Sequence, residues 1–112
     1  MNEHRRAPRK TAYMTIPVAN LMTGETIGRI GNLSANGMLM VSERVIAQDV
    51  LLEIGFELTN ADGRPQLVRV GAQEQWSERA NVPGQYWCGL HFIDVSPTDL
   101  EVIESWLGEL RD

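Results

Sequence analysis

Hydrophobic positions along this chain recur mainly every second residue, the period of a strand that buries one face. In TAYMTIPVA, Ala12, Met14, Ile16 and Val18 fall on one side, and Tyr13, Thr15 and Pro17 on the other. Pro17 cannot donate to a ladder, so this strand is expected at a sheet edge. NLMTGE reads as a turn, ETIGRIGNL as a returning strand weakened by Gly28 and Gly31, and GMLMVSE as a third strand. In DVLLEIGFEL, Leu52, Ile54, Phe56 and Leu58 alternate with Glu53, Gly55 and Glu57. The Asp62-Gly63 pair of TNADGRP predicts a hairpin turn. The returning strand QLVRVGAQEQW sets Val68, Val70 and Ala72 on one side; SERANVPGQ then reads as a loop and YWCGLHFI as the last strand.

The period changes at the end. SPTDLEVIESWLGELRD opens with Ser96 as N-cap, Pro97 at the first helical position and Asp99 three residues after the cap, a capping-box arrangement. The predicted helix, over about 97–110, places Leu100, Ile103, Leu107 and Leu110 on one stripe with Trp106 beside it, while Glu101, Glu104 and Glu109 face away. The expected class is therefore all-β with one C-terminal helix: a small antiparallel six-stranded barrel with the helix packed against it.

Composition supports one domain. At 112 residues, 43% hydrophobic and 22% charged, the chain suits a single core. No apolar run approaches the roughly 18 residues of a membrane helix, and the basic start is not followed by the apolar stretch of a signal peptide. The expectation is a cytoplasmic protein without membrane insertion. Cys88 is the only cysteine, which excludes an internal disulfide and suits a reducing compartment.

Charge is distributed unevenly. Arg5, Arg6, Arg9 and Lys10 against Glu3 give residues 1–10 a balance of +3, which leaves −8 on residues 11–112 of a chain with net charge −5. A nucleic-acid binder spreads basic groups over a face, because neutralising phosphates supplies most of its affinity. An acidic body with its cation confined to one end points instead to a small anion, an acidic partner surface or a solvated end.

Other chemistry is sparse. Cys88-x-x-His91 is half of a zinc spacing with no second pair, and alternation puts the two on opposite faces, Cys88 in the core and His91 at the rim or surface. Trp76, Trp87 and Trp106 read as packing residues, with Trp87 a candidate for exposure on the last strand. No Ser, His and Asp motif, lysine-bearing phosphate loop or acid–base carboxylate pair stands out, so the expectation is a binding module without turnover, cofactor or metal.

Topology gives the basic end a place. A strand of about eight residues runs ~26 Å outward, and its successor returns over a similar distance. RRAPR and the polar stretch NLSANG are thereby expected to meet at one rim.

These two stretches carry a resemblance. Arg5 and Arg9 satisfy R-x-x-x-R, and Asn32, Ser34 and Gly37 satisfy [D/N]-x-S-x-x-G, at the usual separation around the first two strands. With Trp76 ending the fifth strand, WCGLHF in the last and a terminal helix, the chain resembles a stand-alone PilZ domain over nearly its whole length. The resemblance implies that Arg5, Arg6, Arg9, Asn32, Ser34 and Gly37 bind cyclic di-GMP, with His4 adjacent to the ligand. Arginine forks match both phosphate oxygens and the O6 and N7 acceptors of guanine. The Asn32 carbonyl and Ser34 hydroxyl would accept from guanine N1 and N2, and Gly37 would permit positive φ or close approach. Asn32 stands where many members of the family carry Asp, which gives up a charge-assisted bond. His4 is neither bulky and apolar nor reliably cationic, so one nucleotide or a stacked pair both stay open.

The implied mechanism is a flexible clamp, residues 1–10, ordered by ligand against the barrel of residues 11–112. It would signal to an unidentified effector protein in motility, biofilm or exopolysaccharide control, from a monomer or weak dimer. The alternative is a nucleotide-independent PilZ-like adaptor in pilus or motility assembly; a single-stranded nucleic-acid binder is disfavoured by the acidic body.

Overall fold

Among the described residues, eight elements follow one another: β1 (Lys10–Thr11), β2 (Pro17–Asn20), β3 (Thr26–Ser34), β4 (Gly37–Ser42), β5 (Leu51–Thr59), β6 (Pro65–Arg79), β7 (Tyr86–Val95) and α1 (Pro97–Gly108). The computed structural model of the chain describes residues 9–12 and 14–108. His4, Arg5 and Arg6 of the predicted clamp, Tyr13, and Glu109 and Leu110 of the predicted helix lie outside the described residues.

Six strands close a ring in the order β3, β2, β5, β6, β7, β4 and back to β3, all antiparallel. Closure pairs the edges that an open sheet would leave exposed. Alternation fills the interior as expected: Val18, Ile54, Phe56, Leu58, Val68, Val70 and Ala72 are all buried. Between β5 and β6 the turn has Gly63 at φ 80°, and the side chain of Asn60 accepts from the Asp62 and Arg64 amides. Asp62-Gly63 thus serves the turn for which it was read.

The first expected strand is divided. β1 and β2 both pair with β3, but Thr11 opposes Asn32 while Pro17 opposes Arg29, six steps along one chain against three along the other. The period of two does not run through this excursion, and Met14, expected inside, is exposed. Nor is Pro17 on an edge strand. It is the first residue of β2, which pairs with β5 only from Ala19 onward, so its missing N–H interrupts no ladder there.

α1 packs against β3, β5 and β6. Ser96 Oγ donates to Asp99 Oδ2 at 3.0 Å and accepts from the Asp99 amide at 3.1 Å, closing the cap. The helix buries Val102, Ile103, Trp106 and Leu107. Its inward stripe is rotated from the expected one: Val102 takes part, while Leu100 is half-buried. Among the described residues, strand pairing begins at Lys10, within the segment read as the clamp. Its Nζ is buried, donates to the Trp106 carbonyl at 3.1 Å and lies 4.2 Å from the indole centroid. This carbonyl is in the last turn of α1, where a cation complements both the helix dipole and the ring face.

Candidate ligand groove

Two register slips decide which side chains reach the rim. Along β3 the ladder to β4 passes from Ile30 opposite Met40 to Asn32 opposite Leu39, so Gly31 is the extra residue of a bulge. In a regular ladder Ile30 and Asn32 would share a face; across the bulge Ile30 is buried and Asn32 turns outward. Along β6 the ladder to β7 passes from Glu74 opposite Leu90 to Trp76 opposite Gly89, making Gln75 extra. Trp76 consequently leaves the phase of Val68, Val70, Ala72 and Glu74 and stands 47% exposed.

Asn32 and Trp76 border one groove of about 410 Å³, with Arg9, Asn36, Gln75 and His91 around it. Arg9 precedes β1, and its Nη1 donates to Asn32 Oδ1 at 2.6 Å. The expected meeting of the basic segment with NLSANG is therefore present at Arg9. Gly37 and Gly89 let strands and side chains approach one another. A Cβ at Gly37 would fall 2.7 Å from the Leu90 carbonyl oxygen and 3.8 Å from Arg9 Nη2, and one at Gly89 would overlap the Trp76 indole. Gly37 thus serves close approach; it is not among the positive-φ glycines.

Ser34 is buried inside the β3–β4 hairpin. Its hydroxyl engages Asn36 Oδ1 at 2.9 Å and the Gly37 carbonyl at 3.3 Å, and the Asn36 amide approaches it at 3.4 Å. The loop residues Ala35 and Asn36 both keep negative φ. Ser34 therefore shapes the turn that carries Asn36 to the groove.

Cys88 and His91 separate as alternation requires, Cys88 inward and His91 on the groove. Burial pushes the Cys88 thiol above its ordinary value of 9.0, a hydrogen bond with Ser77 pulls it partly back, and the charge of Glu74 pushes it up again. Among the described residues no group of three or more His, Cys, Asp or Glu side chains has the geometry of a metal site. A second groove, about 310 Å³, lies beside Pro17, Ile27 and Val41; its Arg44 is 3.7 Å from Glu25 and it holds none of the motif residues.

Three groove residues were not among the expected ligand-binding side chains: Gln75, Asn36, whose stretch was expected at the rim, and above all Trp76, which was read as a packing residue. A signal was present. Glu74 continues the inward phase of Val68, Val70 and Ala72, and a carboxylate at an inward position marks a strand that departs from regularity.

A family profile for the PilZ domain matches residues 3–109. The chain belongs to the PilZ domain family. Among solved structures, the PilZ domain of YcgR from Escherichia coli, determined with c-di-GMP, superposes with a TM-score of 0.63 at 19% identity, covering 97% of this chain and 95% of that one. The Bacillus subtilis inhibitor of motility MotI/DgrA superposes with a TM-score of 0.78 at 13% identity, covering 98% of this chain. This chain spans about half of the Bacillus protein, 52% of its length. At these identities the likeness is one of fold. No curated protein sequence matches the chain. No described helix of this PilZ domain is long and apolar enough to cross a membrane.

Proposed function

We propose that this PilZ domain is a cyclic di-GMP receptor, without catalytic turnover, that closes its N-terminal arginine segment on the groove and presents the resulting face to an effector protein. The observation that carries this reading is the 2.6 Å bond from Arg9 to Asn32, which joins the two motif stretches at the mouth of a groove. The chemistry suits a dinucleotide with two phosphates and two purine edges. Arg9 offers a planar fork for phosphate or for guanine O6 and N7. On ligand entry the fork exchanges Asn32 for the nucleotide and frees the Asn32 amide for a base edge. Trp76 supplies an exposed aromatic face on which a purine can stack. Ser34 and Gly37 contribute through the shape of the hairpin.

Arg5 and Arg6 complete the clamp in this reading, with His4 beside them, and residues 1–10 act as a unit against the barrel of residues 11–112. Two bound phosphates offset the clamp's positive charge, so binding alters both shape and potential at this rim. An effector that discriminates the two states reads that change. The YcgR domain solved with c-di-GMP supports the ligand, and the motility inhibitor from Bacillus supports motility control as the output.

Isothermal titration with cyclic di-GMP, against GMP and cyclic GMP, tests the proposal. Saturable heat selective for the dinucleotide is expected, and its molar ratio distinguishes one nucleotide from a stacked pair. Absence of binding over a wide concentration range would instead favour a nucleotide-independent adaptor.

A further inference from the structure

We infer that Glu74 is a positioning residue for the groove: its buried carboxylate clasps the bulge at Gln75 and so holds Trp76 on the outer face. The inference concerns a residue outside the motifs and rests, for its functional consequence, on the nucleotide-binding reading of the groove.

In a regular strand, residues three apart point to opposite faces. Glu74 Oε2 nevertheless accepts a hydrogen bond from Ser77 Oγ at 2.9 Å. Only the extra residue between Glu74 and Trp76 brings these two side chains to one side. The same slip that turns Ser77 toward Glu74 turns Trp76 away from the core, so the bond and the indole's position belong to one conformation.

The other carboxylate oxygen reaches a different element. Glu74 Oε1 accepts from the Asp49 amide at 2.8 Å, and the Glu74 amide donates to the Val50 carbonyl at 3.0 Å. Asp49 has φ 61°, a left-handed conformation uncommon for a residue with a Cβ. The carboxylate thus ties the segment between β4 and β5 to the bulge in β6. Glu74 is 2% exposed. A carboxylate so placed is costly unless its oxygens are satisfied, and both have a partner here. In a regular register Ser77 would point outward, leaving Oε2 without that donor, while Trp76 would turn into the barrel. Glu74 therefore favours the bulged register over the regular one.

Proton–nitrogen correlation spectra of the full chain test this, with the Trp76 indole resonance assigned through Trp76→Phe. Glu74→Gln keeps an acceptor for Asp49 and a donor for the Ser77 hydroxyl, and is expected to preserve both the indole shift and cyclic di-GMP affinity. Glu74→Ala is expected to move the indole resonance and weaken cyclic di-GMP binding roughly tenfold, the order of one lost base-stacking contact. Ser77→Ala, a milder change, should move the resonance in the same direction and decides the matter if Glu74→Ala does not fold. An indole resonance unmoved in Ser77→Ala and in any folded Glu74→Ala would overturn the clasp. If the wild-type chain binds no cyclic di-GMP, the receptor reading fails while the indole shifts still judge Glu74.

Discussion

The β5–β6 hairpin and the groove rim are built by opposite rules. From Leu51 opposite Gln73 to Thr59 opposite Pro65, the hairpin keeps nine successive pairs without a slip. Its inward residues Ile54, Phe56, Leu58, Val68 and Val70 are all in the core. At the rim, the β3–β4 and β6–β7 ladders each slip by one residue, and Asn32 and Trp76 emerge on the outer face as a result. Regular alternation builds this hairpin; the slips at Gly31 and Gln75 direct Asn32 and Trp76 toward the groove, while a second slip of the β6–β7 ladder between Gly71 and Ala72 and one of β2 against β3 between Val18 and Ala19 lie away from it. A bulge can do this because one added residue reverses which face the following side chains address.

The largest test of the division falls on the regular hairpin. Phe56→Ala should lower unfolding free energy by about 3–5 kcal/mol, from lost burial and a residual cavity. Urea melts measure this, and the folded fraction should still bind cyclic di-GMP. The converse variant, Arg9→Ala, should weaken cyclic di-GMP binding about 100-fold, as expected for roughly 3 kcal/mol of charge-assisted contacts. Its melting temperature should be nearly unchanged because Arg9 is exposed. If titration finds unchanged affinity, the rim is not the clamp.

Gly89→Ala disturbs the rim from the neighbouring strand β7. Its new Cβ must displace the Trp76 indole, so weaker nucleotide binding is expected with about 1–2 kcal/mol of destabilisation. Hydrogen exchange should report the disturbance around Trp76 and leave the order of protection within the β5–β6 hairpin intact.

The smallest expected effect is alkaline. The folded state holds the Cys88 proton more tightly than the unfolded chain, because burial raises the thiol above 9.0. The stability linked to this group is therefore full below 9.0 and is lost as pH rises from there through the raised folded-state value. Urea midpoints compared between pH 8 and 10 should fall less steeply in Cys88→Val than in the wild type.

Legibility followed the same division. Strand alternation identified Ile54, Phe56 and Leu58 as core, while Ser96, Pro97 and Asp99 located the helix start. The motif spacing brought attention to Arg9 and Asn32. Met14 was misplaced because two short strands share one edge of β3, which breaks the phase that a continuous strand would keep, and Pro17 because barrel closure pairs β2 with β5 as well as with β3. Trp76 was misplaced for a related reason: its neighbours have the pattern of a regular strand until Glu74, and the slip becomes explicit only against β7.

Local pattern alone therefore determined the element types, the turn at Asp62-Gly63, the helix cap and the residues able to fill a barrel. These depend on periodicity and on bonds between near neighbours. Tertiary structure decided that Arg9 faces a groove while adjacent Lys10 is buried against Trp106, and that Glu74 reaches both Asp49 and Ser77. Which face a side chain takes after a bulge, and which distant group meets it there, depends on the register between strands. That register is set by closing the whole barrel around its core.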